Sequence, residues 1–294
     1  KNYDFTNLSF ENNLMLKNIF FSKQKIFAKD YNEKNIEYHS FNWLFLARKL
    51  GGAEAIKISK NHIFNWQVNN YSFLSFVWNN NVISKRLLNL LYHYDFFAIS
   101  ANNEEKDKLI TIIAKNYFVL NLKNNLDKTI NQQTIEIQKA LLLFNLIFKY
   151  DYKKIIKSIK KNIKKNVNTN GVHISMNPCY HAEYINHLYE IKKMILFFKI
   201  KLPEEINFQI LNMTSSLIKF FHKDNTLGFF NGSNNSNFDT IKKLSEMSKD
   251  IKAKDLHNIE NGIAVYENNF AKVMFDVAKP SIELINEHLH AGTL

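Results

Sequence analysis

The sequence predicts a mainly α-helical protein in which antiparallel helix pairs are followed by a few antiparallel strands. Three observations predict this class. Apolar residues recur at helical spacing from about residue 40 to residue 221, short polar segments separate the helical stretches, and alternating apolar runs begin only after residue 260. Paired helices of similar length suit an α/α solenoid or toroid, although the sequence shows no strict repeat period.

The predicted helices are separated by residues that commonly begin or end helices. Glycine, asparagine and proline mark these boundaries, at Gly51-Gly52, Asn102-Asn103, Asn168-Thr169-Asn170-Gly171 and Pro203. One predicted helix, residues 153–165, is rich in lysine and keeps isoleucines at helical spacing. Its pattern favours the solvated face of an amphipathic helix over a dedicated binding strip.

The pattern changes after Gly228. One more short helix is predicted near Ile241 to Ile251, and two alternating runs follow at 262–267 and 270–277. Asn268-Asn269 lies between these runs, which therefore read as a β-hairpin.

Helices followed by consecutive strands indicate two separate domains. We divide the chain into a helical domain, residues 1–250, and the start of a β domain, residues 251–294. The sequence begins at Lys1 rather than Met and stops at Leu294 directly after an alternating stretch, so we expect it to be cut from a longer protein.

The composition limits the classes of function. The 39 Lys and Arg against 27 Asp and Glu give a net charge of +12, which draws polyanions such as nucleic acid, anionic lipid or acidic polysaccharide. A surplus of Lys, Asn and Ile with only 7 Gly and 3 Pro is also what AT-rich coding produces, so charge alone leaves both explanations open. The single cysteine, Cys179, excludes an internal disulfide and a multi-cysteine zinc site. No apolar run reaches the ~18 residues that cross a bilayer.

Two local sequences stand out, Gly171 to His181 and His288 to Gly292, and both resemble signature motifs of the heparinase II/III family of polysaccharide lyases. The segment from Gly171 to His181 resembles a turn that leads through a proline step to Tyr-His at the start of a helix. The segment from His288 to Gly292 resembles a His-x-His-Ala-Asp motif at the entry to a β-sandwich. Further segments follow the family's order over residues 40–294, namely Phe41-Asn42-Trp43-Leu44 with Gly51-Gly52, Ser84-Lys85-Arg86-Leu87-Leu88-Asn89, and Phe229-Phe230-Asn231-Gly232.

The resemblance implies an (α/α) toroid of antiparallel helix pairs, followed by the first strands of an antiparallel β-sandwich, with a substrate cleft between the two domains. It implies β-elimination on an acidic polysaccharide that contains uronic acid. Carried over by position, Tyr180 would be the base and the acid, and His288 would assist proton transfer or neutralise the substrate carboxylate. Gln132 stands where the family places a group that neutralises this carboxylate, so we expect Gln132 and His288 to face Tyr180.

The resemblance also implies secondary roles. His181, Tyr184 and Gln133 would contact the substrate, and His290 weakly matches a ligand of a structural metal whose other ligands would lie beyond Leu294. No other cofactor is implied. Export would require a signal sequence before Lys1 and would make the protein periplasmic or secreted; without one it would be cytoplasmic.

Two positions depart from the family pattern. Gln132-Gln133 replaces an Asn-His or similar pair, and glutamine donates an amide hydrogen bond but carries no charge. Gly292 replaces the Asp of the second motif, which weakens a metal site. These changes keep open a catalytically degenerate protein that binds acidic glycans. A basic helical module that binds nucleic acid is a third alternative, which the dominance of lysine over arginine disfavours.

Overall fold

The computed structural model describes residues 36–70, 76–126, 134–222, 224, 226–228, 231–233, 238–247 and 263–277. Within these residues the chain is mostly helical and ends in one antiparallel strand pair, so the predicted mainly α class with strands at the end is confirmed. The chain divides into two compact units, one ending at Ile155 and the other beginning at Ile156. The predicted domain boundary at 250/251 lies outside the described residues.

The first unit contains seven complete helices in the described residues and the first turn of an eighth. They are α1 (Ile36–His39), α2 (Trp43–Leu50), α3 (Gly52–Asn69), α4 (Asn80–Tyr92), α5 (Tyr94–Phe97), α6 (Asn103–Leu126), α7 (Thr134–Phe148) and α8 (Tyr152–Asn166), with a short 3₁₀ helix at Phe76–Trp78. Helix α4 packs against both α6 and α7. Helices α4 and α6 are antiparallel, because Arg86 contacts Asn116 while Trp78, just before α4, accepts a hydrogen bond from Lys123 near the far end of α6.

Buried polar contacts explain why two of the sequence landmarks of the first unit occur together. Asn89 donates hydrogen bonds to the carbonyl of Ser40 and to Oδ1 of Asn42, at 2.9 and 2.8 Å. The fully buried Arg86 donates to the carbonyls of His39 and Val77. Side chains of α4 therefore satisfy backbone groups in the segment between α1 and α2 and in the 3₁₀ helix.

The second unit contains most of α8 and the remaining described helices and strands. These are α9 (Pro178–Phe197), α10 (Glu204–Leu217), a 3₁₀ helix (Ile218–Phe220), α11 (Phe238–Met247), β1 (Ile263–Glu267) and β2 (Lys272–Asp276). Helix α9 packs against α10 and α11. It runs antiparallel to α10, because His181 near the start of α9 bonds Met213 late in α10, while Lys192 bonds Asn207 near the start of α10.

The predicted hairpin is present, with a longer connection than the sequence suggested. Strands β1 and β2 pair antiparallel, and Val265 lies opposite Met274. The expected two-residue turn at Asn268-Asn269 is wrong, because Asn268 Oδ1 accepts hydrogen bonds from the amides of Phe270 and Ala271, both at 2.8 Å. This side-chain turn extends the connection to residues 268–271. No helix among the described residues is long and apolar enough to cross a membrane.

Candidate active site

The segment between α8 and α9 is a tight loop built around Asn168. Oδ1 of Asn168 accepts hydrogen bonds from the amides of Asn170 and Val172, at 3.0 and 2.9 Å, and its backbone amide donates to the carbonyl of Val172. Asparagine favours such turns because its short side chain can bond backbone groups two or more residues away. Hydrogen bonds within residues 168–172 therefore close the loop without any contribution from the neighbouring helix.

Helix α10 holds this loop at a position that only glycine fits. Gly171 has a φ of +78°, and a Cβ placed there would lie 2.7 Å from the backbone oxygen of Asn212. Ser216, one turn further along α10, donates a 2.7 Å hydrogen bond to the carbonyl of Asn170. The backbone of the loop thus packs directly on the backbone of α10, which fixes the entry to α9.

Asn177 caps the N terminus of α9 and links it to a distant segment. Its Oδ1 accepts a 3.0 Å hydrogen bond from the amide of Tyr180, and its Nδ2 donates a 2.7 Å hydrogen bond to the carbonyl of Asn231. Asn231 in turn donates from Nδ2 to the carbonyl of Met176, at 3.1 Å. We call Asn177 and Asn231, with these two hydrogen bonds, the asparagine clamp. Both side chains are buried, at 1% and 4% exposure.

Tyr180 is the third residue of α9 and is half-buried. Pro178 occupies the first helical position, where its missing N–H leaves no bond unmade, so the helix begins at a defined residue. Tyr180 therefore lies in the first turn of α9, at the positive end of the helix dipole. A negative charge on the phenol oxygen would be stabilised there.

Two buried histidines, His173 and His181, lie beside this turn, and their ring nitrogens form hydrogen bonds with other groups of the protein. Nδ1 of His181 accepts a 3.2 Å hydrogen bond from the amide of His173, and Nε2 is 3.0 Å from the carbonyl of Met213, to which it must donate. Nδ1 of His173 lies 2.8 Å from the hydroxyl of Ser175. His181 is therefore a neutral ring with its proton on Nε2, and it connects the loop, α9 and α10.

Burial keeps both histidines neutral. Removal from water lowers the pKa of His181 to about 4, although its bond to the Met213 carbonyl opposes that shift. Burial and the neighbouring His181 lower the pKa of His173 to about 3. Neither ring gains a proton near neutral pH, so both act as fixed hydrogen-bonding groups.

Tyr184 lies one turn after Tyr180 and faces the interior. Its hydroxyl donates a 2.6 Å hydrogen bond to Oδ1 of Asn162 on α8, which also accepts from Asn166 at 3.0 Å. Burial raises the pKa of the Tyr184 phenol, so it stays protonated. The ring packs on His173, with 5.1 Å between ring centroids. Nδ2 of Asn162 is buried without a hydrogen-bond partner.

The structure brings together three of the residues that the sequence predicted for the site. Tyr180, His181 and Tyr184 lie in the first two turns of α9, with only Tyr180 partly exposed among them. The other four lie outside the described residues: Gln132, Gln133, His288 and His290. Within the described part of the chain, no group of three or more His, Cys, Asp or Glu side chains could hold a metal ion.

Sequence reasoning missed four residues that build this site. The capping role of Asn177 could have been predicted, because asparagine directly before a proline is a common start of a helix. His173 lies inside the quoted motif but was given no role. Asn162 gave little signal, since its partner Tyr184 is 22 residues away in the sequence. Asn231 lies in one of the segments that resemble the family, but its bond to Asn177, 54 residues away, leaves no local pattern.

Comparison with known proteins agrees with this arrangement. Residues 57–253, more than half of the chain, match the family model for the heparinase II/III N-terminus, and the chain therefore belongs to this family. No curated protein sequence matches the chain significantly.

Solved structures with the same fold include a heparan sulfate lyase. The crystal structure of heparan sulfate lyase HepC from Pedobacter heparinus has a TM-score of 0.63 and 18% identity over 87% of this chain and 46% of that one. A mutant of the same enzyme gives a TM-score of 0.64 and 16% identity, over 95% and 54%. A crystal structure of heparinase III has a TM-score of 0.58 and 17% identity, over 73% of this chain and 37% of that one. The chain thus spans about half the length of these structures or less.

Proposed function

We propose that this protein is a polysaccharide lyase that cleaves uronic-acid-containing glycans by β-elimination, with Tyr180 as both base and acid. The observation that carries the proposal is the setting of Tyr180. Tyr180 is half-buried in the first turn of α9, while Asn177, which holds its backbone amide, is buried. Family membership adds support, because the match covers the whole segment that builds this turn.

The reaction needs a group that can both take up and return a proton. Removal of the C5 proton of a uronate leaves its electron pair to form a C4–C5 double bond. The C4–O bond then breaks, and the departing oxygen takes both electrons and a proton. A tyrosine phenolate can accept the C5 proton, and the resulting phenol can donate it to the leaving oxygen. The positive end of α9 favours the phenolate that starts the cycle.

Rigid support is the contribution that the described residues would make to this chemistry. A reacting group held in a fixed position avoids the entropy loss of orienting it during reaction. The asparagine clamp fixes the backbone at Tyr180, and His173 and His181 fix the loop before it. We therefore assign these residues to the positioning of Tyr180.

His181 and Tyr184 fit positioning better than direct contact with substrate. Both are buried, and their polar side-chain atoms bond protein groups in this structure. Contact with substrate stays a prediction that would need these side chains to move. For Gln132 and His288 we propose the roles that the family resemblance implies, namely donating to the substrate carboxylate and assisting proton transfer. Gln133 would contact the same sugar.

Glycan binding without turnover is the second candidate. The observation that favours it is Gln132-Gln133, where an uncharged pair stands in place of one that contains histidine. A uronate C5 proton becomes acidic only when the adjacent carboxylate is neutralised, and amides do this less well than a cation. The second candidate is therefore a catalytically degenerate protein that binds an acidic polysaccharide without cleaving it, and if the protein is a lyase we expect its turnover to be slow.

The test is an assay of the protein on a panel of uronic-acid polymers, following the ultraviolet absorbance of the unsaturated product. We expect absorbance to rise with at least one acidic polymer and with no neutral glucan. Binding of an acidic polymer without any rise in absorbance would favour the degenerate binder. Neither binding nor turnover on any acidic polymer would exclude both candidates.

A further inference from the structure

Helix α8 presents an unusual surface on the side opposite to the candidate site. Its 15 residues contain no acidic side chain and seven lysines. Five of these lysines belong to the second unit, and we call them the lysine face: Lys157, Lys160, Lys161, Lys164 and Lys165. Four of the five are exposed, and Lys160 is half-buried.

The lysine face is a continuous stripe along the helix. At 3.6 residues per turn, these five side chains fall within an arc of about 140° and span about 12 Å along the axis. The opposite side of α8 is buried and carries Ile159, Ile163 and Asn162. Apolar packing sets the orientation of the helix, so the lysines are held outward as one group.

The charges of the stripe repel each other and are barely neutralised by the protein. Lys157 and Lys161, like Lys161 and Lys165, are four residues apart, a spacing at which like charges destabilise a helix. Among the described residues, the only carboxylate that pairs with the lysine face is Glu205, which contacts Lys160. A bound polyanion would remove this repulsion, whereas water and salt only screen it.

We propose that the lysine face binds acidic glycan chains outside the Tyr180 site and holds the polymer near it. This inference rests on the proposed function for its choice of ligand. The sequence pattern alone favours a solvated face; the structure adds the near absence of acidic partners and the connection of α8 to the site. Lysine presents a point charge on a flexible stem, which suits the scattered carboxylates and sulfates of a glycan.

Nucleic acid fits the stripe less well. Single-stranded nucleic acids bind to surfaces that combine positive charge with aromatic side chains on which bases stack. From Lys157 to Lys165, helix α8 has no aromatic residue and no arginine. The lysine face therefore offers charge without the stacking planes or the bidentate donors that nucleic-acid sites commonly use.

The buried side of the same helix connects the stripe to the candidate site. Oδ1 of Asn162 accepts a hydrogen bond from the hydroxyl of Tyr184, and the carbonyl of Asn166 accepts one from the amide of Ile174 in the loop before α9. An α-helix with its side chains is about 10 to 12 Å in diameter. A polymer on the lysine face is thus about one helix diameter from Tyr184, which lies one turn from Tyr180.

The experiment compares two variants of equal charge. The first replaces four lysines of the face with glutamine: Lys157→Gln, Lys161→Gln, Lys164→Gln and Lys165→Gln. The control replaces four exposed lysines that lie on other segments: Lys57→Gln, Lys106→Gln, Lys201→Gln and Lys242→Gln. Glutamine keeps the helix propensity of lysine, and circular dichroism checks that both variants fold. Binding is measured to labelled heparan sulfate, to alginate and to a DNA duplex.

We expect the face variant to bind the acidic glycans roughly 16-fold more weakly than the parent, from about a twofold loss for each of its four exposed charge contacts. The control should change by less than about twofold. Equal losses in the two variants would overturn the proposal, because net charge would then explain binding. Failure of the parent to bind either glycan would also overturn it, as would binding to DNA alone through these lysines.

Turnover distinguishes the failure of this inference from the failure of the proposed function. If the parent cleaves a glycan and both variants bind it like the parent, the proposed glycan binding by the lysine face is wrong and the proposed lyase function is supported. If the face variant loses glycan binding but the parent cleaves nothing, the lysine face stands and the lyase is wrong.

Discussion

The asparagine clamp makes a prediction whose magnitude follows from its contacts. Asn177→Ala removes the side chain that caps α9 at the amide of Tyr180, which costs about 1 kcal/mol of stability. It also removes the 2.7 Å hydrogen bond to the buried carbonyl of Asn231, and an unsatisfied buried carbonyl costs roughly 1 to 3 kcal/mol. We expect a total loss of about 2 to 4 kcal/mol in the free energy of unfolding.

A matched variant separates the two contributions. Asn79 caps α4 by accepting from the amide of Val82 at 2.9 Å, and it is exposed. Asn79→Ala should therefore lose only the cap, about 1 kcal/mol. Asn177→Ser should keep the cap of α9 but lose the hydrogen bond to the Asn231 carbonyl, so its loss should be that of this one bond, roughly 1 to 3 kcal/mol.

Urea unfolding followed by circular dichroism measures these differences. The three tryptophans of the chain, Trp43, Trp66 and Trp78, all belong to the first unit, so their fluorescence reports on that unit and shows whether the two units unfold together. The reasoning is refuted if Asn177→Ala destabilises the second unit no more than Asn79→Ala destabilises the first, within about 0.5 kcal/mol.

Three further predictions concern the same site. Gly171→Ala should destabilise the protein by about 1 to 3 kcal/mol more than Gly52→Ala, measured in urea. Both residues have positive φ and share that cost, but only at Gly171 would a Cβ meet neighbouring backbone. Equal losses would contradict the close packing. Tyr184→Phe removes the hydrogen bond to Asn162 and should lower the free energy of unfolding by about 1 to 2 kcal/mol. The variant should bind acidic glycans as the parent does. A large loss of glycan affinity at unchanged stability would instead make Tyr184 a substrate contact. Burial lowers the pKa of His181 from 6.5 in the unfolded chain to about 4 in the folded one, so its contribution to stability is complete above pH 6.5. That contribution is lost as the pH falls from 6.5 toward 4, by up to about 1.4 kcal/mol per pH unit. His181→Gln should reduce this dependence of the free energy of unfolding on pH, and an unchanged slope would contradict the assignment.

The sequence predicted the helices well because their signals are local. Apolar spacing and boundary residues such as Gly51-Gly52 and Pro203 are read from neighbouring positions, and α2, α3 and α10 begin or end there. The hairpin was also predicted, but its connection was wrong, because Asn268 can close a turn with its side chain as well as its backbone. Such a choice depends on packing that a local pattern does not contain.

The candidate site was predicted in part, for a related reason. Tyr180 and His181 are predicted site residues through the resemblance of one contiguous segment, and the structure places both in the first turn of α9. The contacts that position them join residues far apart in the sequence, such as Asn177 with Asn231, and a single polar side chain in an irregular segment shows no periodicity. The sequence also did not predict that Tyr184 and His181 are buried. Polar residues at helical spacing are compatible with a cleft open to solvent and equally with an interior in which their hydrogen bonds are satisfied.

The central claim is that Tyr180 performs the proton transfers, and one paired measurement tests it most directly. Elimination rate and glycan affinity are measured for the parent and for Tyr180→Phe on an acidic polymer that the parent cleaves. The change deletes one hydroxyl from a half-buried residue and leaves the Asn177 cap in place. We expect the rate to fall by at least the ~10² to 10⁴-fold typical of a lost general acid–base group, with affinity nearly unchanged. A rate equal to that of the parent would contradict the account.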